Sequence, residues 1–346
     1  MSENKRPIDF FQILPKVDLH RHMEGSIRLR TLLDVRREHG MPLPGTGQLD
    51  ELVQIRRGDE YSFQNFLSKF QTLRQFYKTP EVIERITRET IADAATDNVR
   101  YLELRFTPVA LSRVENFPLD EVIDWVVNAA QQAEVDFGVT TRLIVSMNRH
   151  ESLALAEQAA RLAGERISQG IVGLDLAGDE ANHPGLEFAG VFREARQSGL
   201  HITIHAGEWA SAHNVMDAIL HLGAERIGHG VRVLEDPDTV ALARERVTPF
   251  EVCLTSNIQS GVVSTSQAHP LARMLDAGLN ATLNTDDPSI SQITLSDEYR
   301  YACEDLEIGM KALTERIVAA ARAAFLPEHE KTALAETLQT ELSVHT

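Results

Sequence analysis

The chain has only two cysteines, Cys253 and Cys303, standing far apart. Two are too few for a disulfide scaffold and wrongly spaced for a thiolate metal site, so both read as packing residues. No uninterrupted apolar run approaches the roughly 20 residues that span a bilayer. The opening Met1-Ser2-Glu3-Asn4-Lys5-Arg6 leads into Pro7-Ile8-Asp9-Phe10 without the apolar core of a signal peptide. A cytoplasmic protein with no membrane partner is expected. Basic side chains are also in deficit, 34 against 51 acidic ones for a net charge of −17, which argues against a nucleic-acid partner. Low-complexity tracts, linkers and obvious repeats are missing. Nothing marks a boundary, and the 346 residues read as one domain, 1–346.

What is present is an alternation of element types. Val17 and Leu19 alternate with Asp18 and His20 in a short strand. Residues 28–39 pattern as an amphipathic helix stopped by Gly40 and Pro42. A mostly helical stretch follows over about 41–98, with Phe63, Phe66, Leu67, Phe70 and Leu73 at helical spacing and a later helix capped by Thr79 with Pro80 at its first position. Strand-like segments at 101–107, 141–147, 171–177, 202–205, 226–230, 250–256 and 281–285 then take turns with helical ones. Eight βα units in a chain of this size predict an α/β fold, a closed (β/α)8 TIM barrel, with the helices of 41–98 inserted between the first two strands and capping the carboxyl-end mouth. In the second strand Leu102, Leu104 and Phe106 share a face, which leaves Glu103 and Arg105 toward the barrel axis. Buried charges need partners, and a structural ion-pair network is expected there.

Barrel enzymes build their sites at the carboxyl ends of the strands. His20 and His22, two apart on one strand, project to the same side and can aim at one point, as ligands of a borderline-soft divalent metal must. The other strand ends carry Leu176-Ala177-Gly178-Asp179-Glu180, His205-Ala206-Gly207-Glu208, Gly228-His229-Gly230, Leu254-Thr255-Ser256-Asn257 and Asn284-Thr285-Asp286-Asp287-Pro288. Several histidines and a carboxylate converging on one mouth suit a single zinc ion that keeps a position open for water. The expected ligands are His20, His22, His205 and Asp286, which leaves His229 and Glu208 free for proton transfers. The plainer alternatives are that Glu208 and Asp287 cap helices and that His229 serves a turn. Ser256 and Asn257 read as supporting or turn residues. His39, His150, His183, His201, His213, His221, His269, His329 and His345 read as surface or packing, and Phe63, Phe66 and Phe70 as core before lid. Trp209 is large enough to narrow the mouth.

These blocks, from His20-Arg21-His22-Met23-Glu24-Gly25-Ser26 through Asp175 to Glu180, His205 to Glu208, Arg226 to Gly230 and Leu283 to Pro288, resemble the signature of the adenosine deaminase family, in order, over about residues 14–330. The resemblance implies one Zn2+ per chain and hydrolytic removal of the 6-amino group from a small purine nucleoside, giving an inosine-type product and ammonia. By position, His20, His22, His205 and Asp286 match the metal ligands. Glu208 matches the acid that protonates ring N1, and His229 the group that orients and deprotonates the attacking water. Asp287 matches the partner of N7 and the Gly178 amide the donor to N3; Glu24 and His22 complete the expected substrate contacts. The chemistry is coherent, because a metal lowers the pKa of its water from about 16 toward roughly 7, while a donor such as Glu208 needs a pKa above that of a solvated carboxylate.

Substrate alternatives remain open at this point. Glu24 stands where the family often has Asp, facing a ribose 5′-hydroxyl, and similar blocks occur in deaminases of adenine and of 5′-modified or N6-methylated adenine nucleosides and nucleotides. No basic cluster suited to a phosphate stands out beyond Arg21 and Arg28. A binuclear amidohydrolase usually needs a lysine at the end of the fourth strand, and 170–180 has none. Zinc deaminases of flipped bases use a His-x-Glu and a Pro-Cys-x-x-Cys pair, which neither cysteine fits. A non-catalytic metal-binding barrel is the non-enzyme alternative, and the complete set of ligands and acid–base groups argues against it.

Overall fold

The computed structural model describes residues 9–42 and 48–344; His345, the opening residues 1–8 and residues 43–47 of the helical insertion lie outside them. Eight strands, β1 (Lys16–His22), β2 (Val99–Phe106), β3 (Thr140–Asn148), β4 (Ile171–Ala177), β5 (His201–Ala206), β6 (Arg226–His229), β7 (Pro249–Val252) and β8 (Asn280–Leu283), pair in parallel in chain order, with helices between them. The two edges of the sheet meet just beyond β8. His22 N–H donates to the Asp286 carbonyl at 2.8 Å and Asp286 N–H to the His20 carbonyl at 2.7 Å, while the Asn284 side chain accepts the Leu19 N–H at 2.9 Å. The architecture is the (β/α)8 barrel that the alternation predicts.

Helices cover the outer face of the barrel, so the apolar residues that alternate along β1 and β2 pack outward against them while the polar ones turn to the interior. Leu102, Leu104 and Phe106 are buried; β2 packs against the helix Pro80–Thr96, which in turn packs against the helix Leu119–Phe137. The first of these starts where expected, with the Thr79 hydroxyl accepting the Val82 N–H at 3.3 Å and Pro80 in the first turn. Between β1 and β2 lie helices Leu29–Glu38, Leu49–Val53 and Phe63–Leu73 as well as Pro80–Thr96.

Most strand limits fall within a residue or two of the sequence reading, and the end of β7 departs furthest. β7 stops at Val252, and residues Leu254–Gln259 form a helix rather than the end of a strand. The cause lies 44 residues on: the buried Glu298 carboxyl group accepts the Leu254 N–H at 2.6 Å and the Thr255 N–H at 3.1 Å, and also holds the Thr255 hydroxyl. A carboxyl group that accepts those free N–H groups caps the start of the helix, and no local pattern in Val252-Cys253-Leu254-Thr255 announces it. β8 likewise ends at Leu283, two residues before the expected limit.

The barrel interior contains the expected ion-pair network. Arg226 pairs with Glu103 and, through Nε, with Glu251 at 2.6 Å; Arg105 reaches Glu251 at 2.8 Å and Asp175 at 3.5 Å. Glu103 also accepts from the Tyr101 hydroxyl at 2.9 Å and the Phe325 N–H at 2.6 Å. Burial acts to raise the Glu251 carboxyl, but Arg105, Arg226 and the hydrogen bond with His20 hold it well below its ordinary value. Such groups cost little together and much apart. Glu103→Ala is therefore expected to lower the unfolding free energy by about 3–5 kcal/mol in urea titrations, whereas Arg161→Ala, which breaks the exposed pair with Glu165, should cost less than about 1 kcal/mol.

Candidate active site

The carboxyl ends of β1 and β5 and the loop after β8 bring His20, His22, His205 and Asp286 to one place, each with a ligand atom within 4.8 Å of the others. His22 Nε2 lies 3.2 Å from His205 Nε2, and Asp286 Oδ1 lies 3.3 Å from both His20 Nε2 and His22 Nε2. His20 Nε2 is buried without a hydrogen-bond partner. A tetrahedral shell at zinc bond lengths separates its ligand atoms by about 3.3 Å. The donor set of imidazoles plus one carboxylate, and an inward nitrogen with no other partner, fit a borderline-soft divalent ion.

Outer carboxylates orient the rings. Glu251 Oε2 holds His20 Nδ1 at 2.7 Å and Asp175 Oδ1 holds His205 Nδ1 at 2.9 Å, so each ring keeps its proton outside and its Nε2 lone pair inside. Burial lowers His22 well below its ordinary value and lowers His205 as well, which favours the neutral imidazoles that bind metals. The Ser256 hydroxyl donates to Asp286 Oδ2 at 2.6 Å. Space here is limiting: a Cβ on Gly228 would lie 3.0 Å from the His20 ring and 3.2 Å from the His205 backbone.

Glu208 and Asp287 stand beside this cluster, and neither side chain caps a helix. The helix after β5, Ala212–Asp217, begins after Ser211, and Asp287 makes no side-chain cap bond to the turn that follows it. Burial, then Asp286 and Glu180, push the Glu208 carboxyl well above its ordinary range; burial, then Asp286, Glu24 and Glu208, do the same to Asp287, whose Oδ1 has no partner. Both environments therefore favour the neutral carboxyl form. His229 Nε2 lies 3.7 Å from Glu208 Oε2. A Cβ on Gly25 would fall on the Asp287 carboxylate, so only glycine leaves room for Asp287 there.

A cavity of about 350 Å³ opens over these groups, walled by Glu24, Gly178, Trp209 and, from the inserted helix Phe63–Leu73, by Phe66 and Phe70. Both rings thus do more than fill the core. Glu24 accepts the Thr107 N–H at 2.9 Å with one oxygen and leaves the other free. The structure also shows residues that the sequence did not single out. Glu180 accepts the N–H groups of Gly207, Glu208, Trp209 and Ala210 at 2.7–3.1 Å and so fixes the loop carrying Glu208. Arg74 and His150 border the cavity. Arg21 and Arg28 do not: Arg28 is paired with Asp93 at 2.7 Å, and Arg21 is buried against Ser26. His269, read as packing, is buried and faces Asn257 at 3.3 Å.

Fold and site together define a metal-binding barrel hydrolase with buried carboxyl groups facing a cavity of small-molecule size. The chain belongs to the adenosine deaminase family, whose sequence pattern it matches over residues 15–341, and it is a hydrolytic deaminase. It is 39% identical over 325 residues to the adenosine deaminase of Klebsiella pneumoniae, covering 93% of this chain and 96% of that one. Among solved structures it resembles a zinc-bound amidohydrolase from Burkholderia ambifaria at a TM-score of 0.89 and 25% identity, over 99% of this chain and 96% of the other. It also resembles the Arabidopsis ADAL protein in complex with IMP at a TM-score of 0.87 and 28% identity, over 98% and 100%. No helix among the described residues is long and apolar enough to cross a membrane.

Burial and Arg273 lower His269 to a pKa of about 3. Above its unfolded value of 6.5 both states are neutral and His269 adds no pH dependence. As pH falls below 6.5 the unfolded chain takes a proton that the fold refuses, so stability is lost progressively down to about pH 3. Between pH 7 and pH 5 the wild type should lose about 2 kcal/mol more than His269→Gln in paired urea titrations.

Proposed function

We propose that the chain works in the cytoplasm as one barrel domain with a helical insertion, binding one zinc ion through His20, His22, His205 and Asp286 and deaminating adenosine to inosine. The overall change replaces the 6-amino group of the purine with the oxygen of water and releases ammonia. A bound zinc ion supplies a water that is nucleophilic near neutral pH. The observation that carries the reading is the Glu208 carboxyl, buried beside the histidine–aspartate cluster, facing the cavity and pushed well above its ordinary value by burial and the neighbouring acids.

Glu208 gives its proton to ring N1, which draws electron density from C6 and lets the ring accept the electrons of attack. Asp287, with its free oxygen, faces N7, and the Gly178 amide faces N3. These contacts hold the base edge-on to the cluster, while His22 and Glu24 turn toward the sugar. His229 orients the attacking oxygen. Trp209, Phe66 and Phe70 cover the base and exclude bulk water, which keeps Glu208 protonated.

A second reading is favoured by Arg74, whose guanidinium borders the cavity with its Nε unpartnered. It suits the 5′-phosphate of an adenine nucleotide, N6-methylated or not, and the IMP bound to the Arabidopsis relative is likewise a purine 5′-monophosphate. The two are separated by ultraviolet assay of adenosine, deoxyadenosine, adenine, AMP, N6-methyl-AMP and 5′-modified adenosines. Adenosine is expected to have the highest kcat/KM; a lead by AMP or N6-methyl-AMP that collapses in Arg74→Ala would establish the second reading instead. Glu208→Gln should lower kcat by about 10²–10⁴-fold with zinc stoichiometry unchanged, and a variant that keeps wild-type kcat would remove Glu208 from the chemistry.

A further inference from the structure

A chain of three buried side chains leads away from the site and ends on a backbone amide. His269 Nδ1 accepts the Leu271 N–H at 3.1 Å. His269 Nε2 faces Asn257 Oδ1 at 3.3 Å, and Asn257 Nδ2 faces His229 Nδ1 at 3.0 Å. The directions of these bonds follow from one another. A backbone N–H can only donate, so His269 Nδ1 is a bare nitrogen and its ring proton sits on Nε2. That N–H needs an acceptor, which places the amide oxygen of Asn257 toward His269 and the amide nitrogen toward His229. A carboxamide alone could point either way; here Leu271 decides. The Asn257 amide donates, so His229 Nδ1 must be bare, and the ring proton of His229 is left on Nε2. That atom points into the site, 3.7 Å from Glu208 Oε2 and 3.9 Å from Asp286 Oδ2.

We propose that the Leu271 amide, His269 and Asn257 form a relay that fixes His229 as its Nε2–H tautomer, so that His229 meets the attacking oxygen as a hydrogen-bond donor. The base role implied by the family resemblance requires the opposite tautomer, with Nε2 bare. Asn257 and His269 are positioning residues, since both act through His229 and neither borders the cavity. Burial and Arg273 keep His269 neutral down to about pH 3, so the relay keeps its direction over the working range. His229 itself is held at a φ of 58°, a conformation that a non-glycine residue keeps only when its surroundings impose it. The naming of the attacking oxygen rests on the deaminase reading above; the tautomer does not.

The test is long-range ¹⁵N–¹H spectroscopy of zinc-loaded, histidine-labelled protein at pH 7.5, with the His229 signals assigned by their loss in His229→Gln. The expected pattern is a protonated ε nitrogen and a bare δ nitrogen. In Asn257→Asp the carboxylate can only accept, so the proton should move to Nδ1, with kcat falling about 10–100-fold. In His269→Gln an amide N–H still reaches Asn257, and the wild-type pattern should persist. A bare Nε2 in the wild type, protons on both nitrogens, or an unchanged pattern in Asn257→Asp overturns the relay. The expected pattern in a protein that releases no ammonia from any adenine compound would instead overturn the deaminase reading and leave the relay standing.

Discussion

Closure of the barrel on Asp286 is the constraint on which the site depends. The residue has a left-handed backbone, φ 63°, and its N–H and carbonyl bind the backbones of His20 and His22. The pair of hydrogen bonds that joins the last strand end to the first therefore also sets the spacing of three of the four expected ligands. Asp18, buried in β1, ties down the same seam by accepting from the Thr285 hydroxyl at 2.6 Å and its N–H at 3.3 Å. A strained aspartate at this point is tolerable because neighbours on both sides hold it.

Charge is layered along the barrel axis, and Glu251 joins the layers. One of its oxygens takes Arg226 and the Thr203 hydroxyl, while the other takes Arg105 and His20. The arginines keep Glu251 ionised, an ionised Glu251 keeps the His20 proton on the outer nitrogen, and the inner nitrogen is left as a lone pair. Asp175 does the same for His205, with Arg105 behind it. Above the cluster the balance reverses: burial and neighbouring carboxylates push Glu208 and Asp287 well above their ordinary values, and at Glu208 they outweigh the opposing pull of Arg149. The adjacent Asp286 and Asp287 are thus shifted in opposite directions, one well below and one well above the ordinary value, according to what surrounds each.

The sequence was most readable where residues sit at strand ends. His20 and His22 share a face because strand period is two, and each of the blocks containing His205, Glu208, His229 and Asp286 ends a segment that patterns as a strand. The eight-fold alternation was enough for the barrel. The supporting groups were hidden for a physical reason. Glu251 and Asp175 lie mid-strand, where one acid among apolar residues looks the same whether it faces an arginine or a histidine ligand, and Glu251 meets His20 across 231 residues of sequence. Glu298 starts a helix 44 residues upstream of itself. His269 looked like packing because its role requires knowing which way an amide turns. Glu103 and Arg105 were legible as an ion-pair network because alternation alone puts both charges inside.

The central claim is that His20, His22, His205 and Asp286 hold a single divalent ion on which turnover depends. It is tested most directly by stripping the protein with a chelator and titrating zinc back while following ammonia release from adenosine. Activity should be absent at the start, rise in proportion to added zinc and level off at one equivalent per chain. Full turnover by the stripped protein, or a rise that continues to two equivalents, would contradict the claim.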